Sequence, residues 1–295
     1  MRHRLALPVS GFILFLTILL VGAASQAASL ANGFQVQGAA AGCSASGNST
    51  TGSAVSGGVT EGDCVLPTGF AGTFSLTGSS SASYGTVHAS ANVSYAGVDV
   101  PPSGSAGANA GARFSDTITI DKPGRTGEIV DLVFESAING NASAAVSGEG
   151  GTGTPFSRAN ASLSVSVAGA FAGGSVSGRS DGTALRVDPD PVRVAITLGE
   201  AFSIEVNLQV SALIGVNGGS SGNVSGFASA AFGNSAGITS FSLFDAAGVE
   251  ITDFSVSSES GQFALYQPVP EPGSALLVGL GLLGLPLVQK RRPQA

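Results

Sequence analysis

A run in the second half of the chain alternates between apolar and polar side chains, and this run constrains the fold more than any other feature. Side chains of a β-strand point alternately to opposite faces, so such an alternation predicts a strand with one buried face and one face in water. Polar residues stand at the odd positions from 203 to 211. The apolar positions are Phe202, Ile204, Val206, Leu208, Val210, Ala212 and Ile214. We therefore expect one long half-buried strand over residues 202–214.

Shorter segments with the same period of two lie on both sides of this run. Within residues 113–120, for example, Phe114, Ile118 and Ile120 share one face. The other predicted strands are residues 129–134, 163–167, 192–198, 241–244 and 249–251, with a weaker alternation over 70–76. No part of the chain between its two terminal segments has a long apolar run at helical period.

Turns that contain glycine separate several of these strands. Asp121-Lys122-Pro123-Gly124 follows the strand at 113–120. Asp245-Ala246-Ala247-Gly248 predicts a hairpin, and the two-residue connection Gly199-Glu200 predicts another, between strands 192–198 and 202–214. Many short strands with Gly and Asn turns, and without alternating helices, predict an all-β fold. We expect a β-sandwich or jelly-roll-like ectodomain with Gly/Ser-rich loops.

The amino-acid composition also disfavours helical folds. Glycine supplies 44 of the 295 residues, charged residues make up 11%, and tryptophan is absent. Glycine in a helix interior costs about 1 kcal/mol relative to alanine. Helical bundles and Rossmann-type domains are therefore disfavoured.

Composition further divides the body into two regions. Residues 28–112 are rich in Gly, Ala and Ser and show only weak strands, whereas residues 113–267 carry the stronger alternations and are the expected β-sandwich core. The sequence leaves open whether the first region packs with the second as one sandwich.

The N-terminal segment has the order of a secretory signal peptide. Arg2 and Arg4 precede an apolar stretch over residues 5–21, and small residues follow it. We expect a signal helix over residues 1–27 with cleavage after Ala27, and with Ala24 as the alternative. An uncleaved membrane anchor is the competing interpretation, because the stretch is nearly long enough to span a bilayer.

The two cysteines, Cys43 and Cys64, both lie in the part of the chain that would be exported. Two cysteines in an oxidising compartment favour a disulfide, worth about 3 kcal/mol in the chain-entropy model for a loop of this size. Half of a metal site is the alternative, but His88 is the only histidine beyond the leader. The disulfide is the prediction.

The charge balance of the body argues against nucleic acid as a partner. Between the terminal segments there are seven basic residues against eighteen acidic ones. Binding to phosphates needs clustered Lys and Arg.

The C-terminal segment has three parts in a fixed order. Pro270-Glu271-Pro272 is followed by a run of apolar residues and glycine, and Lys290-Arg291-Arg292 lies behind it. The basic cluster predicts that this end stays cytoplasmic, so the body faces outward. As a helix, residues 273–288 would rise about 24 Å, less than the ~30 Å hydrocarbon core. A short, transient transmembrane helix fits better than a permanent anchor.

Together, these three parts behind a signal peptide resemble the PEP-CTERM sorting signal. The resemblance covers less than a tenth of the chain, with Pro286 inside the span and a lysine in the basic cluster as mild departures. It implies recognition by an exosortase, a membrane cysteine transpeptidase, with cleavage near the Pro-Glu-Pro. It also implies delivery to the cell surface or exopolysaccharide matrix of a Gram-negative bacterium.

Several short motifs of enzymes occur by chance in a chain so rich in Gly and Ser. Two Gly-x-Ser-x-Gly strings, at 218–222 and 233–237, are not followed by a histidine, which a serine hydrolase of that type requires. Residues 148–153 have the glycine spacing of a dinucleotide-binding motif but the composition of a loop. His88 is expected to be a solvent-facing strand residue. The sequence therefore predicts no catalytic residues and no cofactor.

A loop rich in acidic residues leaves weak calcium binding open. Asp181, Asp188 and Asp190 lie close in sequence but lack the spacing of an EF-hand, so a plain polar loop is favoured. Asparagine heads an Asn-x-Ser/Thr triplet at positions 48, 92, 141, 160 and 223, which leaves glycan attachment open.

Three functions remain after this reading. A non-enzymatic structural or interaction protein of the surface matrix is favoured by the two targeting segments. A carbohydrate-binding β-sandwich is the alternative, although aromatic rings for sugar stacking are few: Tyr84, Tyr95, Tyr266 and the phenylalanines. A surface hydrolase with an Asp/Glu pair brought together by folding is the least favoured.

Overall fold

A computed structural model of the chain describes residues 28–37, 44–60, 71–98, 103–149, 154–181, 183–217 and 223–263. Within these ranges the chain forms sixteen β-strands in two antiparallel sheets that pack face to face. The predicted all-β sandwich is confirmed. The predicted signal segment 1–27 and the C-terminal segment 268–295 lie outside the described residues.

Sheet A contains the longest predicted strand near its centre. Its order is β11 (Ala184–Val187), β10 (Ala170–Arg179), β9 (Thr154–Val167), β13 (Ala201–Asn217), β6 (Ser103–Asp121), β1 (Ser29–Gln37) and β2 (Ser44–Ser49), and β16 (Ser255–Ser258) also pairs with β6.

Sheet B covers the inner face of sheet A. Its order is β12 (Val192–Thr197), β7 (Ile129–Ile138), β14 (Asn223–Phe244), β5 (Thr86–Val98), β4 (Ala71–Ser83) and β3 (Val55–Thr60), and β8 (Asn141–Glu149) and β15 (Glu250–Ile251) also pair with β14. β7 and β8 follow one another along the same side of β14, so together they act as one interrupted strand.

The alternating run at 202–214 forms β13, as predicted. β13 pairs with β6 on one side and with β9 on the other. Its apolar positions from Ile204 to Ile214 are at most 4% exposed, whereas Ser203 and Gln209 face solvent. The predicted buried face of residues 113–120 is confirmed in the same way, because Phe114, Ile118 and Ile120 are almost fully buried.

Residues before and after position 112 contribute strands to both sheets. β1 and β2 belong to sheet A and β3 to β5 belong to sheet B, and position 112 itself lies inside β6. Val36 and Leu76 are buried in the same core cluster as Phe114. The two compositional regions therefore pack together.

Strands in the Gly/Ala/Ser-rich region are longer than their composition predicts. β4 and β5 have 13 residues each and β6 has 19. Small side chains do not prevent a ladder of backbone hydrogen bonds where partner strands lie on both sides, as they do for β4, β5 and β6. The weak alternation of apolar and polar residues therefore predicted shorter strands in this region than the structure contains.

The predicted hairpin at Gly199-Glu200 is wrong. β12 pairs with β7 in sheet B, whereas the next strand, β13, lies in sheet A. Leu198 is fully buried at this connection, and the backbone N–H of Gly199 donates to the carbonyl oxygen of Ile120 at 2.9 Å. The connection thus crosses between the sheets, because alternation fixes the face of a strand but not its partner.

The two other predicted turns are confirmed. Gly124 has a φ of 80°, and the N–H of Arg125 donates to the carbonyl of Lys122, as in a β-turn with Pro123 and Gly124 at its two central positions. At the β14–β15 hairpin, the carboxylate of Asp245 accepts hydrogen bonds from the N–H groups of Ala247 and Val249 at 2.9 Å each.

One phenylalanine and three glycines join the two sheets near one edge of the sandwich. Phe34, on β1 of sheet A, lies against Gly47 of β2 and reaches Gly57 and Gly78 of sheet B. A Cβ atom at Gly47 would lie only 2.7 Å from the Phe34 ring, and one at Gly57 would also overlap it. We call these four residues the Phe34 cradle. The space that the ring occupies requires glycine at positions 47 and 57, and the Phe34 Cβ atom, 2.9 Å from a Cβ at position 78, requires it there.

Replacing Gly57 by alanine tests the cradle. We expect Gly57→Ala to lower the free energy of unfolding by about 1–3 kcal/mol, because the added methyl group overpacks the site. Urea unfolding of the full chain measures the change. A matched control is Gly111→Ala, where the nearest heavy atom to the new Cβ is 3.5 Å away.

A double-mutant cycle with Phe34→Ala separates packing from backbone effects. The penalty of Gly57→Ala should largely vanish when the ring is absent. An undiminished penalty in the Phe34→Ala background would contradict the cradle.

Candidate functional site

The outer face of sheet A forms an open groove that crosses six strands. The groove has a volume of about 1320 Å³ and is lined by β10, β9, β13, β6, β1 and β2. Its outward side chains are mainly amides and hydroxyls. The amides are Gln35, Asn48, Asn109, Asn160, Asn207 and Gln209, and we call this region the amide groove.

Strand alternation and pairing place these amides together. Gln209 lies between Leu208 and Val210, which point into the core, so its own side chain points outward. Across the sheet it lies opposite Gly111 on β6 and Ser162 on β9. One row further along, Ser211 lies between Asn109 and Asn160. The groove is therefore built from adjacent cross-strand rows.

Two paired glycines form the floor of the groove. Gly111 of β6 lies directly opposite Gly33 of β1, and both line the groove. A Cβ atom at Gly111 would meet no heavy atom closer than 3.5 Å. A side chain at position 111 would therefore occupy the groove rather than clash with the protein.

The six amide side chains of the groove make no hydrogen bond to any other described residue. The outer face of sheet B differs. There, Ser229 donates to the side-chain oxygen of Asn92 at 2.6 Å, and the hydroxyls of Ser79 and Ser90 lie 2.7 Å apart. These polar groups of sheet B bond to one another, whereas the six amides of the groove face solvent without a partner among the described residues.

The charged side chain that lines the groove is neutralised by a carboxylate beside the groove. Arg113 lines the groove, and its guanidinium donates to the carboxylate of Glu205 at 2.7 Å. These two side chains are about half and one third exposed, so the pair contributes little to stability. It leaves the lining without net charge.

The serine-hydrolase strings do not form a nucleophile elbow in the described structure. Residues 233–237 lie inside β14, where the pairing with β5 shifts register. The other string, at 218–222, lies outside the described residues. The elbow requires a strained turn from a strand into a helix, whereas residues 233–237 belong to a strand.

The remaining sequence candidates lie apart from one another. The dinucleotide-like string begins at the end of β8, with residues 150–153 outside the described ranges. His88 is a partly exposed residue of β5. Among the described residues no three His, Cys, Asp or Glu side chains come together to hold a metal ion.

Two of the three carboxylates considered for weak calcium binding have local partners. Asp181 accepts hydrogen bonds from the hydroxyl and the backbone N–H of Thr183, and these bonds lower the pKa of its carboxyl group. Asp188 pairs with Arg186 at 2.7 Å. These two carboxylates therefore already have partners within the protein.

Four predicted features lie outside the described residues. They are the disulfide Cys43–Cys64, the sorting motif Pro270-Glu271-Pro272, the basic cluster Lys290-Arg291-Arg292 and the short C-terminal transmembrane helix. They stay predictions from sequence. In the part of the chain that the structure describes, no helix is long and apolar enough to cross a membrane.

The last described residues are fastened to the body by a buried carboxylate. Asp116 of β6 is 1% exposed and accepts hydrogen bonds from the backbone N–H of Ser260 at 3.2 Å and from its hydroxyl at 2.6 Å. Phe263 stacks on Phe241 with ring centroids 6.0 Å apart. We call β16 and the residues up to Phe263 the C-terminal clasp.

Pro270, the first residue of the Pro-Glu-Pro, lies only a few residues after this clasp in the sequence. Six residues lie between Phe263 and Pro270, so at most about 25 Å of extended chain joins the last packed ring to the Pro-Glu-Pro. Residues 268–292 match the family described as PEP-CTERM protein-sorting motif. The tail is a PEP-CTERM motif.

The PEP-CTERM motif implies an exported protein that an exosortase processes and that is sorted to the cell surface. The predicted resemblance is thus confirmed over the tail. Comparison of the chain with curated proteins and with solved structures found no match. The motif gives the destination of the protein, and the body has to be interpreted from its own geometry.

Sequence reasoning missed the amide groove. The polar residues at odd positions of 203–211 were visible, but only as the wet face of one strand. The groove exists because β6 and β9 flank β13 in a register that aligns their own polar residues with these. No single segment of the sequence indicates this register between strands.

Removing the hydroxyl of Ser260 tests the C-terminal clasp. We expect Ser260→Ala to lower the free energy of unfolding by about 1.5–3 kcal/mol, because a hydrogen bond to a buried carboxylate is lost. Hydrogen exchange should also become faster at the amides of residues 255–261. Ser257→Ala, at an exposed position of β16 within the same clasp, is the matched control. Unchanged exchange in Ser260→Ala would contradict the anchoring role of Asp116.

Proposed function

We propose that this protein is a non-enzymatic structural or interaction protein of the cell surface, exported and then processed by an exosortase. Its proposed location is the exopolysaccharide matrix of a Gram-negative bacterium, reached across the inner membrane through a transient membrane anchor. The observation that carries the proposal is the PEP-CTERM motif at residues 268–292, which begins a few residues after the C-terminal clasp.

The arrangement of clasp and motif supports processing of a folded protein. The body is closed by β16 and by Phe263, which packs against Phe241 and Phe114. The Pro-Glu-Pro therefore follows a sandwich whose last strand is already paired. Cleavage near this motif would release or transfer the whole sandwich without removing any part of its core.

The distribution of charged groups supports a non-catalytic role. Six of the described carboxylates are engaged in ion pairs at the surface, such as Asp131 with Arg193 at 3.2 Å and Asp188 with Arg186 at 2.7 Å. Asp116, the buried carboxylate, is used to hold Ser260. These seven carboxylates therefore have structural partners within the protein.

Carbohydrate binding is the second candidate function. The amide groove favours it, because its lining presents unpaired donors and acceptors on a face wide enough for a polymer. A surface protein with such a face would act as a link between the cell and its matrix.

Intact mass of the protein recovered from the cell surface and medium tests the first proposal. We expect the loss of residues 1–27 and of the segment after Pro270-Glu271-Pro272, with any added mass reporting an attached anchor or glycan. The C-terminal loss should disappear in cells without the exosortase. It should also disappear when all three residues of the Pro-Glu-Pro are replaced by alanine.

Gln267→Ala, just before the matched residues 268–292, is the control and should be processed normally. A chain that ends at Ala295 in cells with and without the exosortase would refute processing at this motif.

A further inference from the structure

We propose that the amide groove binds an extended, uncharged polysaccharide. This inference deepens the second candidate function, since it assigns carbohydrate binding to one face of one sheet and selects the class of polymer. It rests on four properties of the groove, namely its unpaired amides, its dimensions, its glycine floor and its lack of net charge.

The chemistry of the lining matches sugar hydroxyl groups. Each Asn or Gln side chain offers both a donor and an acceptor, and each serine hydroxyl does the same. A sugar hydroxyl also donates and accepts, so amides and hydroxyls can bond to it in either direction. The six groove amides have no hydrogen-bond partner among the described residues, so binding a sugar need not break bonds within the protein.

The dimensions of the groove suit a polymer rather than a single sugar. Six neighbouring strands at about 4.8 Å spacing give a groove roughly 24 Å long across the sheet. Three rows of outward residues give it a width of about 14 Å along the strands. Gly111 and Gly33 have no side chains, so the groove is deeper where β6 and β1 cross it. Several consecutive sugar rings can therefore lie on the face at once.

Charge selects an uncharged polymer. The cation that lines the groove, Arg113, is already paired with Glu205. The body as a whole carries eighteen acidic against seven basic residues, so a polyanion would be repelled. Neutral hydroxyl groups meet no such barrier.

The lining also indicates how the affinity should depend on length. Among the described residues of the groove, the outward side chains include no aromatic ring, since Phe34 points into the sandwich. Binding then depends on many separate hydrogen bonds, each of small net value. We expect short oligosaccharides to bind weakly and longer chains of the same sugar to bind progressively more tightly.

The experiment measures binding of the purified full chain to two polysaccharide fractions of the producing cells' own matrix. The fractions are separated by anion exchange into a neutral and an acidic pool, and binding is followed by affinity electrophoresis and by calorimetry. We expect binding to the neutral pool only. Calorimetry with size-fractionated neutral chains then gives the dependence on length.

Two kinds of variant locate the binding to the groove. Gly111→Val fills the floor and should weaken binding by about tenfold or more, which corresponds to about 1.4 kcal/mol. Asn109→Ala and Gln209→Ala each remove one amide and should weaken binding about fivefold, as expected for the loss of one hydrogen bond.

The controls match these variants in chemistry. Gly107 lies on the same strand and face as Gly111 but outside the groove, next to the flexible end of Leu213, so Gly107→Val is the control for Gly111→Val. Asn141→Ala removes an exposed amide from the outer face of sheet B. Both should bind like the unmodified chain, and thermal unfolding should show that all variants fold.

The outcomes are separable from the proposed function. Binding to the acidic pool alone, or to neither pool, would overturn the inference, while the intact-mass result would still decide export and processing. Binding to the neutral pool that all groove variants retain would overturn the assignment to this face. Loss of binding in the groove variants but not in the controls is the expected result.

Discussion

Each residue of a strand between two packed sheets has to face either the core or the solvent, and this two-way constraint shapes the whole body. β13 obeys it over most of its length, with Ile204 to Ile214 inward and polar residues outward. Because β6 and β9 pair with it in register, the inward residues of three strands form one apolar layer. The outward residues of the same strands form one polar layer, which is the amide groove. Core and candidate site are thus two sides of the same alternation.

Sequence was sufficient to predict which residues are buried wherever large side chains mark the inward positions. The strands around Phe114 and Ile204 are examples, and so is the hairpin at Asp245, where the turn has a local chemical signal. Partner choice could not be predicted in the same way. The short connection at Gly199 looked like a hairpin, yet it joins two sheets because Leu198 enters the core.

Regions in which glycine, alanine and serine occupy the inward positions gave the weakest signals. Ala110 and Ala161 are nearly fully buried, although neither position stood out as apolar in the sequence. Long-range pairing decides such cases, and pairing depends on many residues at once. The groove was hidden for the same reason, since no local motif records that Gln209 lies beside Gly111.

Strand β6 connects the amide groove to the C-terminal clasp. Its residues 109–113 form part of the groove, while Asp116 and residues 118–121 hold the C-terminal clasp. A load applied through the tail would therefore reach the groove along a single strand that is paired with neighbours on both sides. This continuity suits a protein that connects a surface attachment to a polymer.

The Phe34 cradle has an evolutionary consequence. Positions 47, 57 and 78 belong to three different strands, yet Phe34 limits the size of all three side chains, through its ring at Gly47 and Gly57 and through its Cβ atom at Gly78. A change at position 47 or 57 to a larger residue becomes tolerable only after position 34 has lost its ring. Descendants of this sequence should therefore either keep Phe34 together with these two glycines or change position 34 first. Part of the abundance of glycine in this chain is thus inherited as a linked set rather than as independent choices.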